Sequence, residues 1–177
     1  QGPLRILVVG GSLGATALNE RVPSALALIP EHERPVVVHQ SGEKHLAELN
    51  RLYEQNGVEG ELKAFIDDMA GEMARADLII ARSGASTVTE VAAVGVAALF
   101  VPFPHAVDDH QTRNASFLAN EKAAWLVPQD ELTAQALSQL MRSCDRETLS
   151  RMASKAHGMA QRDATEHLVR ACEEVVA

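Results

Sequence analysis

The sequence predicts one α/β domain built on a doubly wound, mostly parallel, Rossmann-like sheet. Short apolar segments that suit buried strands alternate with helical segments along the chain, a pattern typical of parallel sheets covered by helices on both faces. The length of 177 residues fits one such domain, and no tandem repeat or long linker divides residues 1–177. Glycine-rich turns follow two of the predicted strands, as expected where a sheet of this class binds a ligand.

The first half of the chain alternates three predicted strands with two predicted helices. Residues 4–9 are apolar, partly β-branched and end at a Gly-Gly pair, which indicates a strand buried on both faces. Residues 15–28 place apolar side chains three and four positions apart, which is the spacing of one helix face. A valine run at 36–38 predicts the second strand, and leucines on one side of residues 43–56 predict the second helix. Residues 62–65 are predicted to form a short third strand.

The second half continues the alternation and then becomes helical. Two aspartates precede a short helix at 69–75, and an apolar run at 77–81 predicts the fourth strand. The next helix ends at Gly95, and residues 98–101 form the fifth strand before a proline-rich loop. The remaining predicted elements are a helix from His110, a strand at 125–127, and helices at 133–142, 146–159 and 163–177.

Composition and charge exclude several classes of partner. Sixteen basic and 24 acidic residues give a net charge of −8, which argues against a nucleic-acid partner. Aromatic residues make up 3% of the chain, too few for a platform that stacks bases. The longest nearly uninterrupted apolar run, residues 91–101, has about eleven residues, whereas a membrane span needs about twenty. The chain is therefore expected to be soluble by itself.

Two glycine- and serine-rich loops are the first candidates for a binding site. If the strand order is 3-2-1-4-5-6, strands one and four are neighbours, and ligands bind beyond their carboxyl ends. The loops at that point are residues 10–14 and 82–86, where glycines let backbone N–H groups approach an anion at a helix N-terminus. For the first loop, the alternative is an ordinary turn with Ser12 as the N-cap.

The first loop departs from the dinucleotide-binding pattern. Ser12 stands where the second glycine of that pattern belongs. The second strand ends in His39-Gln40 rather than in the acidic residue that would hold a nicotinamide ribose. Both departures disfavour a dehydrogenase, and the solvated-loop interpretation is preferred for His39.

Glu90 has two interpretations that the sequence leaves open. Thr87 and Glu90 have the spacing of a capping box, in which the glutamate reaches back to the start of its helix. Alternatively, the Glu90 carboxylate accepts hydrogen bonds from both hydroxyls of a ribose whose diphosphate lies at the same helix N-terminus.

The other polar clusters give weaker signals. Asp67 and Asp68 could hold a divalent cation, but helix capping by aspartate is the favoured interpretation. The loop at 102–111 contains histidines and aspartates whose spacing matches no zinc signature. Within that loop, a contact from Gln111 to a sugar hydroxyl is favoured over a metal site.

Several short motifs in sequence order resemble one family. They are residues 8–15, 39–42, 65–69, 76–78, 82–85 and 101–105, together with Glu90 and residues 163–165. Residues 4–163 are similar to the C-terminal half of the MurG family, the bacterial peptidoglycan N-acetylglucosaminyltransferases. The resemblance implies one half of a GT-B fold, in which two Rossmann-like domains enclose a cleft and the C-terminal domain binds UDP-N-acetylglucosamine. The chain is then expected to be about half of the enzyme, with residues 163–177 packing toward the absent N-terminal domain.

The resemblance also implies a role for particular residues. The backbone of Phe65 and Ile66 would contact uracil, and Glu90 would bind the ribose. The family often has a glutamine pair where this chain has His110-Gln111, so only Gln111 is carried over to the sugar. The residues implied to bind the substrate are Ser12, Gly14, Phe65, Ile66, Arg82, Ser83, Gly84, Ala85, Glu90 and Gln111.

The implied reaction is an inverting transfer of N-acetylglucosamine to the 4-hydroxyl of the muramoyl sugar of lipid I, which yields lipid II. No cofactor or metal is expected. The catalytic base, the lipid acceptor site and the membrane-facing patch are expected in the N-terminal half, so this chain alone should bind the donor without transferring the sugar. The whole enzyme is expected at the cytoplasmic face of the inner membrane. The alternatives are the donor half of another GT-B enzyme, including a naturally split one, and a non-catalytic nucleotide-binding module.

Overall fold

Six parallel strands form one sheet in the computed structural model, which describes residues 2–11, 15–104, 106–161, 169 and 172–173. The strands are β1 (Arg5–Val9), β2 (Val36–Gln40), β3 (Glu61–Lys63), β4 (Leu78–Ala81), β5 (Ala97–Phe100) and β6 (Ala124–Leu126). Their order is β3-β2-β1-β4-β5-β6, and every pairing is parallel. This is the strand order that was assumed in locating the two candidate loops.

Helices cover both faces of this sheet. They are α1 (Thr16–Ala27), α2 (Leu46–Asn56), α3 (Met69–Arg75), α4 (Ala85–Val94), α5 (His110–Ala119), α6 (Ala134–Ser143) and α7 (Arg146–Gly158), with 3₁₀ turns at Glu31–Glu33, Glu43–His45 and Val107–Asp109. The predicted helix at 43–56 is thus a 3₁₀ turn followed by α2. The predicted helix at 163–177 lies outside the described residues apart from 169 and 172–173. In the part of the chain that the structure describes, no helix is long and apolar enough to cross a bilayer.

The side chains of each central strand alternate between two apolar layers. In β1, Ile6 and Val8 pack in one layer, and Leu7 and Val9 pack in the other. The first layer includes residues of α1, α2 and α6, whereas the second includes residues of α3, α4 and α5. Because both faces are covered, the central strands β4 and β5 are continuous apolar runs rather than alternating ones. Polar groups that could contact a ligand are therefore expected at the ends of the strands.

His39 is a buried part of the sheet, so the expectation that it lies in a solvated loop is wrong. The residue belongs to β2 and is 0% exposed. Its Nε2 lies 3.1 Å from Oδ1 of Asn19, and its Nδ1 lies 3.0 Å from the hydroxyl of Tyr53. Since an amide oxygen only accepts, Nε2 carries the proton and Nδ1 accepts from Tyr53. Burial lowers the pKa of His39 to about 3 and keeps the ring neutral.

His39 should make the free energy of unfolding depend on pH. The pKa of a histidine is about 6.5 in an unfolded chain and about 3 in this fold, so the unfolded chain binds the proton more readily. The contribution is fully present above pH 6.5 and is lost as the pH falls toward 3. We expect the free energy of unfolding to be about 2 kcal/mol lower at pH 5 than at pH 7 from this residue. Urea denaturation at the two pH values measures the difference, and a His39→Gln variant with the same pH dependence would contradict the assignment.

Candidate functional site

The carboxyl ends of β1 and β4 lie side by side and define the candidate site. The two strands pair in parallel with Val9 opposite Ala81, so the loops that begin at Gly10 and Arg82 emerge together. Gly11 has a φ of 77°, a left-handed conformation that glycine adopts readily. Ser12 and Gly14, which were predicted to contact the diphosphate, lie outside the described residues.

Two helices start at this edge without a side-chain cap. The N-cap of α1 is Ala15 and that of α4 is Gly84, and no side-chain cap hydrogen bond is made at either helix start within the described residues. The other uncapped helices, α2 and α5, continue from 3₁₀ turns, whereas side chains cap α3, α6 and α7. The first N–H groups of a helix have no intrahelical partner and carry the positive end of its dipole. At the switch point they are therefore available to an anion.

These helix starts rule out the two capping alternatives raised by the sequence. The N-cap of α1 is Ala15 rather than Ser12. Because α4 has Gly84 as its N-cap and no side-chain cap, Thr87 and Glu90 do not form a capping box. Glu90 is exposed on the second turn of α4, and no hydrogen bond or ion pair joins its carboxylate to the described residues. The carboxylate is thus accessible to a ligand.

Ser83 combines complete burial with an unpaired hydroxyl. It is 0% exposed, and its Oγ has no hydrogen-bond partner within the described residues. Its carbonyl accepts a hydrogen bond of 3.1 Å from Nδ2 of Asn114, which ties the loop after β4 to α5. A buried polar group without a partner costs about 1–3 kcal/mol. Such a cost is typical of positions kept for function rather than for stability.

The guanidinium group of Arg82 donates its hydrogen bonds to other residues of the protein. Its Nη1 donates to the carbonyls of Val101 and Pro102 at 3.0 Å each, and its Nη2 donates to Oε1 of Gln129 at 2.6 Å. The guanidinium carbon also lies 5.5 Å from the centre of the Phe103 ring. Partial burial lowers the pKa of Arg82, although such a side chain stays charged at neutral pH. The side chain therefore anchors the segment after β5.

The segment after β5 has an unusual backbone and holds Gln111. Asp108 and Asp109 have φ values of 52° and 51°, in the left-handed region that non-glycine residues seldom adopt. Oε1 of Gln111 accepts a hydrogen bond of 2.9 Å from the backbone N–H of Phe103. This bond holds Gln111 against the segment after β5. His105 lies outside the described residues.

The segment after β3 carries the predicted uracil contacts. The strand ends at Lys63, so Phe65 lies beyond it with 70% of its surface exposed, while Ile66 is buried. The side chain of Asp68 accepts a hydrogen bond of 2.9 Å from the backbone N–H of Gly71 and is the N-cap of α3. The capping interpretation of this aspartate is thus confirmed. Among the described residues, no group of three or more His, Cys, Asp or Glu could hold a metal ion.

Gln40 is the residue at this edge whose role the sequence did not indicate. It is 3% exposed at the end of β2. Its Nε2 lies 3.1 Å from the carbonyl oxygen of Ala64 and 3.4 Å from that of Gly11. A pair of polar residues, His39 and Gln40, at the end of a strand that begins with three valines is the signal that could have identified it.

The chain matches the glycosyltransferase family 28 C-terminal domain over residues 5–168. It belongs to this family. The enzyme named UDP-N-acetylglucosamine--N-acetylmuramyl-(pentapeptide) pyrophosphoryl-undecaprenol N-acetylglucosamine transferase from Bordetella parapertussis is 59% identical over 173 residues, 98% of this chain and 48% of the relative. The enzyme of the same name from Paracidovorax citrulli is 59% identical over 99% of this chain and 50% of the relative.

A solved structure shares the fold of this family 28 domain. The crystal structure of Acinetobacter baumannii MurG superposes with a TM-score of 0.89 at 47% identity, covering 98% of this chain and 50% of that one. The resemblance to the MurG family and the Rossmann-like fold are thus confirmed. The chain spans about half the length of the relatives it matches. The roles of the individual site residues stay predictions.

The contacts of Arg82 predict that its substitution lowers the stability of the family 28 domain. In Arg82→Met three carbonyl or amide oxygens lose a charged donor, so we expect the free energy of unfolding to fall by about 2–3 kcal/mol. The midpoint of urea denaturation at unchanged slope measures this loss. The control is Arg75→Met, which removes one surface ion pair with Glu72 and should cost less than about 1 kcal/mol. Equal stability of the two variants would contradict the anchoring role.

Proposed function

We propose that this chain binds UDP-N-acetylglucosamine as the donor domain of an inverting N-acetylglucosaminyltransferase of peptidoglycan synthesis. One observation carries the proposal: in this family 28 domain, the two helices that follow the adjacent strands β1 and β4 both begin without a side-chain cap from the described residues. The names of the similar enzymes supply the sugar nucleotide and the acceptor. The match to a family 28 C-terminal domain, and the coverage of 50% of the solved MurG chain, support the assignment to the C-terminal, donor-binding half.

In this proposal the diphosphate lies between the N-termini of α1 and α4. Backbone N–H groups at Gly84 and Ala85 donate to it, together with the loop that contains Ser12 and Gly14. The hydroxyl of Ser83, which has no partner within the described residues, donates a further hydrogen bond once the ligand is present. The charge of Arg82 adds to the positive potential, while its hydrogen bonds stay with the protein.

The nucleoside extends from the diphosphate along the edge of the sheet toward β3. Uracil is bound by the backbone of Phe65 and Ile66, on the segment that follows β3. The exposed carboxylate of Glu90 accepts hydrogen bonds from the two ribose hydroxyls. Gln111 and the backbone near Ala85 face the sugar on the opposite side of the diphosphate.

Catalysis by this domain consists of stabilising the leaving group. When the bond between the anomeric carbon and the diphosphate oxygen breaks, negative charge develops on UDP. Two fixed helix dipoles aimed at that charge stabilise the transition state without reorganising, which is often the largest single catalytic contribution. The proposed reaction therefore needs no divalent cation.

The acceptor side of the reaction belongs to the part of the enzyme that this chain does not span. There a base removes the proton from the 4-hydroxyl of the muramoyl sugar of lipid I, and attack from the opposite face inverts the anomeric centre. The products are lipid II and UDP. The whole enzyme works peripherally at the cytoplasmic face of the inner membrane, where its lipid acceptor resides.

Glu90→Ala tests the ribose contact. Loss of two hydrogen bonds to a carboxylate should weaken UDP binding by about 1.5–3 kcal/mol, roughly 10- to 150-fold. Isothermal titration calorimetry with UDP, UDP-N-acetylglucosamine, UDP-glucose and NADH measures the effect and the selectivity together. The matched control is Glu54→Ala, an exposed helical glutamate on α2, which should bind UDP like the wild type.

Each outcome of this titration has a defined meaning. UDP affinity equal in the wild type and Glu90→Ala would remove Glu90 from the site. Tight binding of NADH with no response to UDP would contradict the proposed function as a whole. Binding of UDP with no preference between the two sugar nucleotides would favour a different GT-B enzyme.

A complementation assay tests whether this chain supplies donor binding while the N-terminal half of the enzyme supplies the acceptor site and the base. The chain alone should bind the donor but transfer no sugar to lipid I, because the base and acceptor site are supplied elsewhere. Mixing it with the N-terminal half of a similar enzyme should restore transfer, detected as lipid II formation. Transfer by the chain alone would contradict the proposal.

A further inference from the structure

Gln40 links two loops of the candidate site through one buried side chain. Its Nε2 contacts the Ala64 carbonyl after β3 and, at longer range, the Gly11 carbonyl after β1. The backbone adds to this link, since the carbonyl of Gln40 accepts a hydrogen bond of 2.9 Å from the N–H of Gly10. The residue therefore sets the separation between the predicted base and diphosphate contacts.

Holding the carbonyl of Ala64 also fixes the N–H of the next residue. A trans peptide group is planar, and its C=O and N–H point in opposite directions. The Ala64 carbonyl is directed toward the buried amide of Gln40, so the N–H of Phe65 is directed away from it. The exposed side chain of Phe65 places this residue at the surface of the domain. One side chain thus orients the peptide group predicted to meet the base.

The amide oxygen of Gln40 is evidence against a purely stabilising role for this side chain. Oε1 of Gln40 is buried and has no hydrogen-bond partner within the described residues. An unpaired buried acceptor is destabilising, so a residue selected only for stability would not be expected to carry one. The donors on Nε2 are the part of the side chain that the fold uses.

We propose that Gln40 is a positioning residue for nucleobase selectivity, which acts by orienting the Ala64–Phe65 peptide group toward the base. This inference rests on the proposed function, because it assumes that a uridine diphosphate occupies the site. It assigns to Gln40 no contact with the substrate.

The test compares the dissociation constants of UDP and CDP, which differ only in the base. We expect the wild type to bind UDP more tightly than CDP, so the ratio of the CDP dissociation constant to the UDP dissociation constant (the CDP/UDP ratio) is above one. Gln40→Met keeps the length of the side chain but removes its donors, and it should lower this ratio about tenfold. If Gln40 only stabilised the fold, its substitution would weaken the binding of UDP and CDP by the same factor and leave the ratio unchanged. Calorimetry gives the two constants, and urea denaturation checks that each variant is folded.

A neighbouring residue provides a matched control. Ser41 is also buried, and its hydroxyl donates to the carbonyl of Gly42 rather than to either loop. Ser41→Ala should therefore keep the wild-type ratio. If Gln40→Met does not fold, Gln40→Asn provides the test, because its amide is one methylene shorter and should lower the ratio by a smaller factor.

The outcomes separate this inference from the function on which it rests. A folded Gln40 variant with the wild-type CDP/UDP ratio would overturn the inference and leave the proposed function intact. Equal affinity of the wild type for UDP and CDP would also overturn it. A wild type that binds neither nucleotide would overturn the proposed function, and this inference with it.

Discussion

The parallel pairing of β1 with β4 is the constraint on which the candidate site depends. These strands are not consecutive in the chain, yet they lie side by side with Val9 opposite Ala81. Their following loops therefore emerge together, and α1 and α4 begin at the same edge of the sheet. Without this pairing, two loops separated by about seventy residues would have no reason to act on one ligand.

Buried and half-buried polar side chains connect the elements around that edge. His39 joins Asn19 and Tyr53 beneath it, Gln40 connects the segments after β1 and β3, and Arg82 holds the segment after β5. Each group reaches backbone or side chains of a different element. Such cross-links limit the movement of loops that would otherwise have few contacts, which is what a preorganised anion site requires.

The acidic character of the chain is compatible with the proposed anionic ligand, because a diphosphate needs only local contacts. A net charge of −8 disfavours long polyanions, which need many cationic side chains. Uncapped helix N-termini instead present N–H groups over a few ångströms, where their partial charges outweigh distant carboxylates. The same geometry accounts for a proposed mechanism that requires no metal ion.

Local patterns in the sequence determined the elements of the fold and their order. Strand composition, helix spacing and glycine turns were sufficient to predict six strands in a mostly parallel sheet, and the motif order was sufficient to identify the family. These signals are local because hydrophobic periodicity and turn chemistry act over a few residues. The ends of short elements were less well predicted, as at β3, where only three residues pair.

The burial and the hydrogen-bond partners of the polar residues were decided only by the tertiary structure. The burial of His39 and the two loops joined by Gln40 both depend on contacts between distant elements. Arg82, for example, bonds to Gln129, 47 positions along the chain. Single-sequence patterns do not encode which side chains meet across strands, because that depends on strand order, register and helix placement together. The sequence alone therefore determined the fold and the edge at which a ligand is proposed to bind, whereas packing decided which polar residues at that edge stay accessible to it.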